Sequence, residues 1–284
     1  MSSPVNQQTL DWMAEYETKG SRHVVTAGEH QVVWRQFGEG SPLVLIHGGH
    51  GSWLHWARNI EALSKDFSLW IPNLVGYGDS GDPRFDDFST MVDVTAECLT
   101  QLFGADTPFD LAGFSFGGLV SANVAAKGLL VRRLALLGPG GHGGPRRERG
   151  KLINWKRALS DEELLEAMRF NLWAHMIYAD EQIDPFAMGI HTYSCIHTRF
   201  KSRGISGRGL LGPALETYGG DTYIIWGEHD ITCTPEYLMD HMIKDQPGRH
   251  GVILPDVGHW VNYEAPEPVN TLLKNWFKEG RAGF

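Results

Sequence analysis

Ser115 stands inside Asp110-Leu-Ala-Gly-Phe-Ser-Phe-Gly-Gly118, which contains Gly113-x-Ser115-x-Gly117. A serine hydroxyl is a poor nucleophile unless a neighbouring base takes its proton. The flanking glycines say how this one is presented. A sharp strand-to-helix turn pushes the hydroxyl out of the sheet, and a side chain two residues before or after would strike a neighbouring strand or helix. The helix that follows turns its positive end toward the same spot. The base must come from elsewhere. Among 13 histidines, His259 is set apart by Leu254-Pro-Asp-Val-Gly-His-Trp260, just past the last strand-like run. Asp230 closes Gly227-Glu-His-Asp230 after another such run, at the sheet edge where α/β proteins build sites. It is the expected acid behind the histidine. Glu228 and Asp256 are its rivals, each otherwise a solvated loop charge.

Attack on a carbonyl makes an oxyanion, which needs two N–H donors. Phe116, next after the serine, supplies one. The other falls to His47-Gly-Gly-His-Gly-Ser52, most simply at Gly49, where glycine lets the backbone come close. In that loop His47 reads as structural, and His50 and His55 line or flank the site. A metal reading of the three lacks a matching carboxylate or cysteine cluster, and the chemistry calls for neither metal nor organic cofactor. Gly48, His50, Phe114, Trp173 and Trp260 are the expected substrate contacts. The ten tryptophans, Trp53 and Trp56 among them, suggest an aromatic-walled pocket or simply a core.

These residues need elements to position them. Strand-like runs fall at 22–25, 31–37, 42–47, 67–71, 109–112, 134–137, 222–226 and 251–254. Several are continuously apolar, as strands buried on both faces are. Helical patterns lie at 52–64, 90–103, 116–127 and 266–278. The alternation predicts an α/β fold, a mostly parallel eight-stranded sheet with helices on both faces. It breaks at 139–213, between two glycine-rich stretches. Ser160-Asp-Glu-Glu163 opens a helix there. The chain therefore divides into a first part of the core (1–138), an inserted helical cap (139–213) and a second part of the core (214–284). The basic run Arg146, Arg147, Arg149 and Lys151 reads as a solvated linker.

The 284 residues are 42% hydrophobic and 21% charged, with a formal charge of −9. Nothing basic is dense enough for nucleic acid. No run is long enough to cross a bilayer, and the first twenty residues lack the apolar stretch of a signal peptide. Cys98, Cys195 and Cys233 give no disulfide framework. The expected setting is the cytoplasm, and the expected partners are a small molecule and a second copy of the chain.

Taken together, His47-Gly-Gly, Gly76-Tyr-Gly-Asp-Ser80, the Ser115 turn, Trp226-Gly-Glu-His-Asp230 and Gly258-His-Trp260 resemble the α/β-hydrolase superfamily over nearly the full length. The order Ser, Asp, His agrees with it. Asn73 departs from the aspartate that relatives carry ahead of the Gly-x-Gly-x-Ser turn, at a site read as structural. Serine at position 115 sets the chain apart from haloalkane dehalogenases and epoxide hydrolases, which attack with aspartate. The chain is also similar to hydrolases that cleave carbon–carbon bonds of aromatic ring-fission products. That resemblance implies a cap arginine for the substrate carboxylate, with Arg199 and Arg203 as candidates. Phe114 departs from the asparagine usual in that subgroup. The implied function is hydrolysis of a small apolar ester, or of a vinylogous diketone; the alternative is a ligand sensor without turnover.

Overall fold

Leu43 and Leu45 face one side of their strand, Val44 and Ile46 the other, and all four are fully buried. A strand with no solvent side needs a layer on each face. The same alternation recurs in Leu134–Leu137 and Tyr223–Trp226, so two apolar cores sandwich one sheet. The computed structural model describes residues 4–202 and 204–283.

The eight strands are β1 (Ser21–Ala27), β2 (His30–Phe37), β3 (Ser41–Ile46), β4 (Phe67–Asn73), β5 (Phe109–Phe114), β6 (Val131–Leu137), β7 (Thr222–Gly227) and β8 (Arg249–Leu254). Their order is β1-β2-β4-β3-β5-β6-β7-β8. β1 and β2, and β2 and β4, are antiparallel; the remaining pairs are parallel. In the register Ile46 lies opposite Gly113, Phe114 opposite Leu137 and Gly227 opposite Leu254. The loops after β3, β5, β6, β7 and β8 therefore leave the sheet at one edge.

Helices α1 (Gln7–Lys19), α2 (Ala57–Leu63), α3 (Phe88–Phe103), α4 (Phe116–Ala125), α5 (Asp161–His175), α6 (Pro185–Ile196), α7 (Leu211–Tyr218), α8 (Pro235–Leu238), α9 (Val261–Glu264) and α10 (Pro266–Lys274) complete the fold. Residues of α2 and α10 bury one sheet face; residues of α3, α4 and α7 bury the other. Trp53–Trp56 turns as a 3-10 helix before α2, so the helix expected over 52–64 is split in two.

Two elements differ from expectation. Helix α1 was invisible as a polar terminus. Asn6 caps it, its side chain accepting from the Thr9 N–H at 3.0 Å. Its Trp12 stacks on Tyr16 and meets both Trp53 of the core and Phe186 of α6. Between β6 and β7, residues 144–154 have no regular structure, then α5 and α6 form a helical pair. Ser160 caps α5, accepting from the Glu163 N–H at 3.2 Å. The expected return to the core at 213 falls within α7, which starts at Leu211 and lies against the sheet's own helices.

Candidate active site

β5 ends at Phe114 and α4 begins at Phe116, leaving Ser115 alone on the turn at φ 54, ψ −117. That is a left-handed conformation a non-glycine residue adopts only when its surroundings force it. Close backbone packing supplies the force. A Cβ on Gly113 would lie 2.3 Å from the Gly117 carbonyl oxygen, and one on Gly117 would lie 2.3 Å from that of His47. Bulk at either position would push the turn off the sheet.

The Ser115 Oγ lies 2.9 Å from His259 Nε2, and His259 Nδ1 lies 2.8 Å from Asp230 Oδ2. The three residues come from the ends of β5, β7 and β8. Gly138, at the end of β6, makes room: a Cβ there would stand 3.0 Å from Asp230 Oδ2 and 3.1 Å from His259 Nδ1. Asp230 is fully buried. Burial alone would raise its carboxyl, but the facing imidazole and its hydrogen bonds outweigh that and hold it below the usual carboxylate range. Two of those bonds come from Thr232, whose N–H and hydroxyl donate to Asp230 Oδ1 at 2.7 and 2.8 Å. The rivals sit apart. Asp256 is solvent-exposed, and Glu228 accepts from the Asp256 N–H at 3.1 Å.

The His47-Gly-Gly loop runs beside this turn. A Cβ on Gly49 would lie 2.6 Å from Ser202 Oγ and 3.5 Å from Phe116 Cβ, so only glycine fits there and the loop passes close to the start of α4. Two imidazoles grip Gly48. His47 Nε2 accepts from the Leu74 N–H at 3.0 Å, leaving Nδ1–H to donate to the Gly48 carbonyl at 2.8 Å. His55 Nδ1 accepts from the Gly48 N–H at 3.2 Å. Both rings must be neutral to accept. Burial drives the His47 value down to about 4 and that of His55 well below 6.5.

A cavity of about 660 Å³ opens on Ser115. Gly49, His50, Phe114, Phe116 and His259 line it, as does His55. Four other expected contacts do not. Gly48 lies beneath Phe114. Trp260 is fully buried against Tyr263, and its indole N–H donates to the His55 carbonyl. Trp173 packs against the Arg149 guanidinium, 4.3 Å from the ring centre. Arg199 is spent on the 76–82 turn, pairing with Asp82 and donating to the Gly78 carbonyl at 3.1 Å. Arg203 lies outside the described residues. Among the described residues only one of the ten tryptophans, Trp155, lines the cavity, so its wall is not built of indoles.

Histidine and basic residues take their place. His175 and His191 line it from α5 and α6, each driven down to about 3 by burial. The run at 146–151, expected to be a solvated linker, leaves Arg146, Glu148 and Lys151 exposed but also forms a strap along the cavity. Arg146, Arg147, Arg149, Lys151 and, beyond the run, Lys156 line the cavity with one acid, Glu148. Glycine-rich flanks made this segment look like tether. Its arginines are held in place by Glu236, by Trp173 and by the Ile177 carbonyl.

Sequence reasoning also missed Glu264. Its carboxylate accepts from the Gly258 N–H at 3.0 Å and the Tyr178 N–H at 2.8 Å, tying the His259 loop to the segment between α5 and α6. Burial pushes this carboxyl up to about 8 against the pull of those N–H groups. Thr232 and Glu264 each lie near a site residue in sequence, but nothing in their types announced the role. Asn73, read as structural, accepts from the Trp53 N–H at 2.8 Å and donates to Asp79 at 2.6 Å.

Residues 43–272 match the model of the alpha/beta hydrolase family. The chain belongs to that family. It is a hydrolase by that membership and by its relatives. A hydrolase of (E)-2-((N-methylformamido)methylene)succinate from Acinetobacter baylyi is 26% identical over 85% of this chain and 92% of its own length. A pimeloyl-[acyl-carrier protein] methyl ester esterase from Vibrio campbellii is 31% identical, over 32% of this chain and 34% of its own. Among solved structures, a meta-cleavage product hydrolase from Pseudomonas fluorescens IP01 aligns with TM-score 0.73 at 21% identity, covering 93% of this chain and 100% of that one. A Bacillus subtilis carboxylesterase aligns with TM-score 0.73 at 17% identity, covering 97% of each. The expected resemblance to esterases and carbon–carbon hydrolases thus holds. No helix among the described residues is long and apolar enough to cross a membrane.

Proposed function

We propose that this hydrolase cleaves a small carboxylic ester through an acyl-enzyme, with Ser115 as nucleophile, His259 as base and Asp230 as its orienting acid. One observation carries the reading: an unbroken hydrogen-bond chain, 2.9 Å then 2.8 Å, from a serine open to the cavity to a buried carboxylate. His259 takes the Ser115 proton as Oγ attacks the carbonyl. The Gly49 and Phe116 amides hold the oxyanion, each worth about 3 kcal/mol in such sites. His259 then protonates the leaving alcohol, and water, activated by the same imidazole, releases the acid. Asp230 fixes the Nδ1–H tautomer, and Thr232 fixes Asp230. Helices α5 and α6, with the segment at 144–154 before them, serve as the cap. Three buried cysteines, all free, accord with a reducing cytoplasm.

The second reading is carbon–carbon cleavage of a vinylogous diketone. The strap favours it, since its four cations and Lys156 line the cavity with a single acid, Glu148, and suit the carboxylate of a ring-fission product. A panel of nitrophenyl esters beside a ring-fission dienoate separates the two. Ester turnover alone supports the first reading; turnover of the dienoate alone discards it. A folded protein whose Ser115 ignores a fluorophosphonate probe, and which turns over neither class, would be a sensor instead.

A further inference from the structure

We propose that His55 is a fixed hydrogen-bond donor that selects substrates carrying a second acceptor oxygen in the acyl group. The assignment rests on the acyl-transfer reading of the same site. It starts from a tautomer. The Gly48 N–H points at His55 Nδ1, so that nitrogen carries the lone pair and Nε2 carries the hydrogen. Burial disfavours the doubly protonated ring.

The Nε2–H has no hydrogen-bond partner, and His55 is 2% exposed. A buried donor without a partner is costly, and such groups call for an explanation. His47, its neighbour in the same clamp, has both ring nitrogens satisfied by backbone. The difference is position. His55 lines the cavity beside Phe114 and Ser115, while His47 does not. Ring contacts with Phe114 and Trp260 hold it there. Gly51 is the enabling residue, since a Cβ there would lie 2.5 Å from His55 Cε1. His55 is tethered to the loop that would grip the acyl oxygen, so the substrate atoms nearest to it belong to the acyl group. A keto or comparable oxygen there would pair the orphan donor. A plain alkyl chain would leave it buried and unpaired, and sites built to hydrogen-bond a substrate discriminate strongly against analogues lacking the partner.

The test compares ethyl acetoacetate with ethyl butyrate, which share a carbon skeleton and differ by one keto oxygen. The wild-type protein should favour the keto ester in kcat/KM by about 10-fold or more. His55→Phe should lose that preference. His55→Gln, whose amide can accept from Gly48 and donate into the cavity, should retain most of it. In Ser115→Ala protein with 15N-labelled histidine, His55 should show the Nε2–H tautomer from pH 6 to 8 (a window set by the usual histidine range). Its resonance should move with ethyl acetoacetate and stay with ethyl butyrate. Equal turnover of the two esters with Ser115 still labelled by a fluorophosphonate, or a His55 resonance indifferent to the keto ester, overturns this assignment and leaves the serine reading standing. No labelling and no turnover overturn both.

Discussion

The turn around Ser115 and the strap at 144–154 meet at the same cavity, but they are held there differently. The turn is fixed by backbone pressed on backbone: Gly113 and Gly117 each stand where a Cβ would lie 2.3 Å from a carbonyl oxygen. The strap is fixed mostly by side chains, through Arg147 on Glu236, Arg149 on Trp173 and Asn171 on the Ile153 backbone, with one backbone bond from the Arg147 N–H to the Ile231 carbonyl. Arg146 forms no ion pair among the described residues and donates only to the Ser206 carbonyl. Backbone contact of the first kind tolerates almost no change, so it suits reacting atoms that must keep one geometry. Side-chain tethers can be exchanged singly, so they suit selectivity.

Substitutions can break or sharpen that contrast. The largest effect is expected at Ser115→Ala, with turnover falling on the order of 10⁵-fold or more. Its melting temperature should stay near that of the parent, because the hydroxyl serves the reaction and not the turn. Next comes Gly117→Ala, expected to cost more than about 3 kcal/mol in denaturant unfolding. Gly207→Ala provides the control. Nothing lies within 4 Å of its would-be Cβ, and its stability should move by less than about 0.5 kcal/mol. Equal costs at the two glycines would erase the distinction drawn here.

The buried histidines give a third effect, smaller than the glycine cost for each ring taken singly. His47, His175 and His191 are neutral in the fold, with values lowered to about 4, about 3 and about 3. Unfolded, they take up protons near 6.5. Below that pH the unfolded chain binds more protons, so stability is fully present above 6.5 and declines toward 4 and 3. Each imidazole should remove roughly 2 kcal/mol between pH 6.5 and 5. Urea midpoints at pH 7 and pH 5 measure the drop; an unchanged midpoint would mean these rings are hydrated. The smallest effect is expected at Arg146→Gln. Stability should hold within about 0.5 kcal/mol, while the kcat/KM ratio of anionic to neutral esters falls about 10-fold. An unchanged ratio would leave the strap without a role in selection.

The same physical difference explains what was legible in the sequence. The central strands β3, β5 and β7 showed as apolar runs because both sheet faces are covered there, while the edge strand β1, largely exposed, showed only through its β-branched residues. The Ser115 turn and the loops at Gly49 and Gly138 are built by close approach, which forces glycine. Asp230 and His259 were found through the strand ends that precede them. Helix α1 gave no signal because Trp12 and Tyr16 stack on aromatics contributed by distant parts of the chain. The strap's arginines were misread for a related reason, as Glu236 and Trp173 lie far away in sequence. Trp173 and Trp260 looked like pocket walls, yet a large aromatic near a catalytic residue serves equally well as its buried support. Arg199, suggested by resemblance, proved to brace the 76–82 turn.

The central claim is that Ser115 carries an acyl group during turnover. Rapid mixing with 4-nitrophenyl acetate, quenching in acid and peptide mass mapping test it directly. The account predicts one acetyl group on the peptide containing Ser115, absent in Ser115→Ala and much reduced in His259→Ala. Ester hydrolysis at full rate with Ser115 unmodified, or with the acetyl group on another residue, would contradict it.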